Sequence, residues 1–122
     1  MRKQFLYLNS RDEFYRIDIN KIVYFEADGN YTHFVLGNKL RGTVGGNLSQ
    51  MQKVLSESLK EDASIFARVG KRFIINLNFV YHIDIRKQRL VISDGQTFAF
   101  QLPLSKESLR ILRTIYIGKG HE

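Results

Sequence analysis

Apolar and polar residues alternate along much of this chain in the two-residue rhythm of half-buried strands. Tyr15, Ile17 and Ile19 share one face, with Arg16 and Asp18 on the other. Ile22–Ala27 is instead a nearly unbroken apolar run through Val23, Tyr24 and Phe25, the pattern of a strand covered on both sides. Asp28-Gly29-Asn30 supplies turn chemistry, and Tyr31–Leu36 reads as the return strand of a hairpin. Further strands are expected at Phe5–Leu8, Lys39–Val44, Ile65–Val69, Phe73–Leu77, Val80–Ile85, Leu90–Ile92 and Thr97–Leu102, the last two joined through Asp94-Gly95.

The rhythm changes twice. After Gly45-Gly46, Asn47 is a favourable N-cap, and Leu48, Met51, Leu55 and Leu59 recur at helical spacing with Val54 widening the stripe. An amphipathic helix is predicted over about 48–60. Pro103 ends the last hairpin, and Ser105 caps a second helix whose apolar seam is Leu109, Leu112 and Ile115. Gly118–Glu122 is expected to fray. The expected fold is mainly β, built of small antiparallel sheets with one internal amphipathic helix and a C-terminal helix, in a single domain over 1–122. The helices stand far apart in sequence and the basic residues cluster in connections, which argues against a helix-turn-helix protein.

Composition narrows the class. A hydrophobic content of 43% is enough for a core, so global disorder is not expected. Cysteine is absent, which removes disulfides and thiolate metal ligands and fits a reducing compartment. Met1–Asn9 has too short an apolar core for a signal peptide, and no stretch approaches a membrane span. A cytoplasmic protein with no membrane association is expected. The formal net charge of +7 is uneven: residues 1–64 hold nine Lys/Arg against eight Asp/Glu, whereas 65–122 hold ten against four. Such asymmetry favours a polyanionic partner.

The basic half contains Phe66-Ala67-Arg68-Val69-Gly70-Lys71-Arg72-Phe73-Ile74-Ile75-Asn76, two apolar stretches around a cationic connector in which Gly70 permits a tight turn. A cationic loop on a β-scaffold suits a phosphate backbone; an ordinary solvated hairpin tip is the alternative. Lys106, Arg110 and Arg113 recur at i, i+4 and i+7, a stripe that faces water or follows a phosphate strand. Arg86-Lys87-Gln88-Arg89 is a charged turn of the solvated kind. His33, His82 and His121 are scattered and lack cysteine partners, so no zinc site is expected. Asp28-Gly29-Asn30 lacks the other oxygen ligands of a calcium loop. Gly42–Asn47 lacks the Gly-Lys-Ser/Thr ending of a phosphate loop. No cofactor, metal or small-molecule substrate is expected, and no nucleophile–base–orienter set points to an enzyme.

Four segments, in order, resemble LytTR-type DNA-binding domains. They are Ile19–Tyr31, Arg41-Gly42-Thr43 with the helix that follows, Arg68–Asn76, and Leu102-Pro103-Leu104-Ser105-Lys106, and their order and spacing match over about residues 5–112. The resemblance implies an elongated fold of about ten strands that places loops, not a recognition helix, into successive major grooves. It implies the output domain of a bacterial response regulator, binding direct repeats in promoters as a transcription regulator. Double-stranded DNA is the implied partner, with a second copy on the repeats. Carried over by position, base contacts fall on Thr32, Lys71 and Lys106. Asn30, Tyr31, His33, Gly70 and Arg72 fall at the same surface, and Arg110 joins the backbone contacts. The family often has His-Arg-Ser where this chain has Gly70-Lys71-Arg72, and Ser-Arg where it has Ser105-Lys106. Lysine cannot make the planar fork to guanine, so weaker or different base readout is expected while phosphate anchoring survives. The family's phosphoacceptor domain has no room here, so a free-standing regulator or an excised fragment is expected. Two alternatives remain: a single-strand or RNA-binding module stacking bases on Tyr24, Phe25, Tyr31 and Phe34, and a basic module docking an acidic protein.

Overall fold

The computed structural model describes residues 4–118, so His121 and, except for Gly118, the segment expected to fray lie outside the described residues. Packing divides the chain into two compact units, Met1–Leu77 and Asn78–Glu122.

In the first unit, β1 (Phe5–Asn9) and β2 (Phe14–Asp18) form an antiparallel hairpin. The strands β3 (Ile22–Asp28), β4 (Tyr31–Leu36), β5 (Arg41–Gly45), β6 (Phe66–Val69) and β7 (Phe73–Asn76) form an antiparallel sheet in the order β5-β4-β3-β7-β6. Central β3 is buried from Ile22 to Phe25 and β7 throughout, in keeping with their continuous apolar sequences. The helix α1 (Leu48–Leu59) buries Leu48, Met51, Leu55 and Leu59 in one cluster with Leu6, Ile17, Phe25, Phe34 and Ile74. Each fully buried side chain of this size contributes roughly 1.5–3 kcal/mol. Asn47 starts the helix with a reciprocal box, its side chain accepting from Gln50 N–H while Gln50 Oε1 accepts from Asn47 N–H. Gly42 of β5 is required by contact: a Cβ there would stand 2.4 Å from the Phe34 ring and 2.9 Å from the Tyr15 ring, which meet edge to face.

Most boundaries shift by a residue or two, and two of these shifts have a visible cause. Ile19 does not finish β2 but starts a 3-10 turn whose N-cap, Asp18, accepts from Asn20 N–H. Strand β5 begins at Arg41, not Lys39, because Gly37–Leu40 is spent in a turn with Lys39 at φ 73°.

In the second unit, β8 (Val80–Asp84), β9 (Arg89–Ser93) and β10 (Ala99–Pro103) form a three-stranded antiparallel sheet with β9 central, followed by α2 (Lys106–Ile117). Leu90, Ile92, Leu102, Leu104, Leu109 and Leu112 are buried. The expected seam of α2 is shorter than its spacing suggests: Ile115 is 52% exposed. Periodicity identifies which helix face is apolar, not how far a covering surface reaches. The pairing of β8 is also interrupted, because Val80 pairs with Ile92 and His82 with Val91, leaving Tyr81 as an extra, exposed residue. In the β9–β10 turn, Asp94 accepts from the Thr97 hydroxyl and from the Gln96, Thr97 and Phe98 amides. These bonds, the Thr97 hydroxyl foremost, hold its carboxyl well below the usual range.

Candidate nucleic-acid interface

Strand direction gathers three connections at one end of the five-stranded sheet. Strand β3 ends where its antiparallel neighbours β4 and β7 begin, as the pairs Asp28–Tyr31 and Glu26–Phe73 show. The β3–β4 turn and the β6–β7 loop therefore leave the sheet side by side. They are joined by a bond from Ala27 N–H to the Arg72 carbonyl (2.8 Å). Strand β5 also ends here, with Gly45 opposite Tyr31, and leads through Gly46 to the start of α1.

In the β3–β4 turn, Gly29 takes the left-handed conformation at φ 59° and Asn30 is exposed. The Asn30 carbonyl accepts from Gly46 N–H (2.8 Å), and Thr32 Oγ1 donates to the Gly46 carbonyl (2.9 Å). Thr32 is 1% exposed. This corrects the carried-over assignment of a base contact to Thr32: its hydroxyl is committed inside the fold, where it fastens the turn to the loop before α1. The alternation of β4 carries that outcome, since Thr32 and Phe34 are buried while Tyr31 is exposed. His33 is fixed by two contacts, Nε2 to Asp28 Oδ2 and Nδ1 to Thr43 Oγ1, both 2.7 Å. The carboxylate can only accept, so Nε2 carries the hydrogen there.

The β6–β7 loop is Gly70-Lys71-Arg72, closed by the Val69–Phe73 pair, with Gly70 at φ 66°. The two cations of the loop and Arg68 of β6 are treated differently. Arg68 reaches α1, donating from Nη1 to Ser49 Oγ and Gln52 Oε1 (3.1 Å each), and from Nη2 to the Lys71 carbonyl (3.3 Å). Arg72 Nη2 donates to Glu26 Oε2 (2.7 Å), with its guanidinium 5.1 Å from the centre of the Phe73 ring. Lys71 is exposed, and among the described residues no hydrogen bond or ion pair engages its ammonium.

Asn30, Tyr31, His33, Gly70, Lys71 and Arg72 thus share one end of the first unit. Lys106 and Arg110 belong to the second unit, on the exposed side of α2. Ser105 caps that helix by accepting from Ser108 N–H (3.1 Å), which makes Lys106 its first helical residue. Among the described residues, Lys106, Arg110 and Arg113 form no ion pair. The charged turn expected over Arg86–Arg89 spans residues 85–88, with Arg89 already in β9; Asp84 anchors it by accepting from Lys87 N–H, and that bond is the main reason the Asp84 carboxyl lies below its ordinary range.

Sequence reasoning missed Glu26, Asp28, Thr43, Ser49 and Gln52, the partners that hold the basic and imidazole groups. Three of these contacts join residues 16, 19 and 46 positions apart, so no local pattern marks them. Of the aromatics considered for base stacking, Tyr24, Phe25 and Phe34 are buried and only Tyr31 is open. Among the described residues, no group of three or more His, Cys, Asp or Glu side chains is placed to hold a metal ion, and no helix is long and apolar enough to cross a membrane.

Comparison with known proteins agrees with this architecture. Among curated proteins none matches. A solved structure, the LytTr DNA-binding domain of a protein described as a methyl-accepting/DNA response regulator from Bacillus cereus, is similar with a TM-score of 0.64 at 22% identity, covering 93% of this chain and 97% of its own. That likeness is one of fold. The family model of the LytTr DNA-binding domain matches residues 12–116, and over that span the chain belongs to this family of DNA-binding domains.

Proposed function

We propose that this DNA-binding domain is a sequence-specific transcription regulator of double-stranded DNA, inserting its connections into successive major grooves at promoter direct repeats. The observation that carries the reading is the convergence of the β3–β4 turn and the β6–β7 loop at one sheet end, with the Lys71 ammonium unengaged. Lys71 and Lys106 are the base-reading side chains. Asn30, Tyr31, His33, Gly70, Arg72 and Arg110 lie beside them, and Thr32 acts from within the sheet by holding the turn. As single-point donors, both lysines recognise acceptors such as guanine O6 or N7 without the bidentate fork of arginine. The role is that of a response-regulator output domain in the cytoplasm, with two copies on repeated half-sites.

Selection from a random duplex library at roughly 150 mM salt tests this, because weak surface electrostatics are screened at a Debye length of about 8 Å. The expected result is a short enriched motif repeated at about 10–10.5 base pairs, one helical turn. No enrichment, with binding that vanishes as salt rises or is matched by single-stranded competitor, rejects sequence-specific duplex recognition.

A further inference from the structure

We propose that Arg68 and Arg72 are positioning residues that aim Lys71, and not phosphate anchors. The proposal rests on the reading of Lys71 as a base contact, and it divides between two roles three cations that lie within five residues and look alike in sequence. The loop between Val69 and Phe73 is only three residues long. A flexible cationic tip of that size would sample many orientations, and ordering it on DNA would cost side-chain entropy. Two braces reduce that freedom before any DNA arrives. On one side Arg68 ties the loop's own backbone, through the Lys71 carbonyl, to Ser49 and Gln52 on the first turns of α1. On the other side Arg72 is pinned twice to β3, by its carbonyl to Ala27 N–H and by its guanidinium to Glu26. Both guanidinium groups are therefore occupied within the fold, and the charge of Arg72 is paired with a carboxylate. Lys71 sits between the two braces, and among the described residues nothing holds its own ammonium.

A phosphate anchor and a brace differ in how they respond to salt. Each neutralised phosphate contributes about −0.9 to the slope of log K against log salt on duplex DNA. On a mixed-sequence duplex, where the base acceptor is missing and the ammonium of Lys71 falls to a phosphate instead, binding measured by fluorescence anisotropy across roughly 50–200 mM salt is expected to lose about 0.9 of slope in Lys71→Ala. The slope is expected to stay unchanged in Arg68→Gln and Arg72→Gln. In Glu26→Gln it is also expected to stay unchanged; a steeper slope with tighter binding there would mean that freeing Arg72 creates a phosphate contact, and would overturn the proposal. A drop of about 0.9 in Arg72→Gln or Arg68→Gln would overturn it as well. This measurement needs no selected site, so it judges the arginines even when the selection of motifs fails.

The second readout separates aiming from mere structural support. On the selected duplex, Lys71→Ala is expected to lower the ratio of selected to mixed-sequence affinity by roughly fivefold to 150-fold. Arg72→Gln is expected to lower the same ratio. Combined with Lys71→Ala it should cost nothing further, because its effect passes through the lysine. Additive losses, or an unchanged ratio in Arg72→Gln, would refute an aiming role. Circular dichroism of each variant confirms that the comparison is made on folded protein.

Discussion

Lys71 stands on a short loop braced from both sides, whereas Lys106 stands on the opening turn of a helix and, among the described residues, has no side-chain brace. The loop draws its order from a sheet whose two central strands are buried and from side chains brought in from α1 and β3. The helix end draws its order from one cap, Ser105, and from the two fully buried leucines of α2. By contrast α1, which supports the loop, has a reciprocal capping box and four buried side chains. Electrostatics sharpen the difference. In the loop, the charge of Arg72 is paired with Glu26, a partly exposed contact worth about 0.2–1 kcal/mol. On α2, Lys106 lies at the positive end of the helix dipole, an unfavourable placement of about 0.3–1 kcal/mol, and Arg110 one turn on adds a like charge. Glu107 offsets part of this. Under the proposed function a phosphate at the helix start relieves the conflict, which gives a locally disfavoured lysine a reason to be there.

The largest expected effect breaks the weaker support. Leu109→Ala removes one of the two buried anchors of α2 and is expected to cost about 2–5 kcal/mol of stability in urea unfolding. Amide exchange should accelerate along α2 while β3 and β7 keep their protection. Equal loss of protection in both regions would mean that the helix is not separately anchored, and the contrast between the two supports would fall.

The contrast was only half legible in the sequence. Elements set by local rhythm were readable: the unbroken run of β3, the alternation of β4, and the stripe from Leu48 to Leu59 all lie where their patterns put them. Burial of Thr32 was readable too, from its place in the alternation, but a correspondence by family position overrode it. What pattern does not encode is where a covering surface stops, as at Ile115, or where a strand takes up an extra residue, as at Tyr81. Nor does it encode which distant acid or amide meets a given cation. A run reading Arg-Val-Gly-Lys-Arg contains three equivalent charges; only folding, which brings Glu26 to Arg72 and Gln52 to Arg68, makes Lys71 the unengaged one.

Next in size are the lysines themselves. Lys71→Ala and Lys106→Ala are each expected to weaken specific binding by about 1–3 kcal/mol, measured on the selected duplex. Unchanged affinity in both variants would remove the assignment of base contacts. A smaller effect probes the cap: Ser105→Ala should cost about 1 kcal/mol of stability, and Ser105→Gly only a few tenths. If the first turn of α2 presents Lys106, binding should weaken in the same order. Equal binding by both variants would show that the cap has no part in presentation.

The smallest expected effect is the control on which the comparison depends. Lys87 lies in a basic turn as charged as the β6–β7 loop, and its backbone is likewise held, by Asp84. If positive charge on an ordered turn were enough, Lys87→Ala would weaken binding as Lys71→Ala does. Lys87 instead matches none of the proposed contact positions, so the change should alter stability by no more than about 0.5 kcal/mol and leave affinity for the selected duplex unchanged. The slope against salt should also hold, since no phosphate is released there. A large loss of affinity, with the slope falling by about 0.9, would move the DNA-binding face to the β8–β9 turn and leave the braced loop as a structural feature of the sheet end.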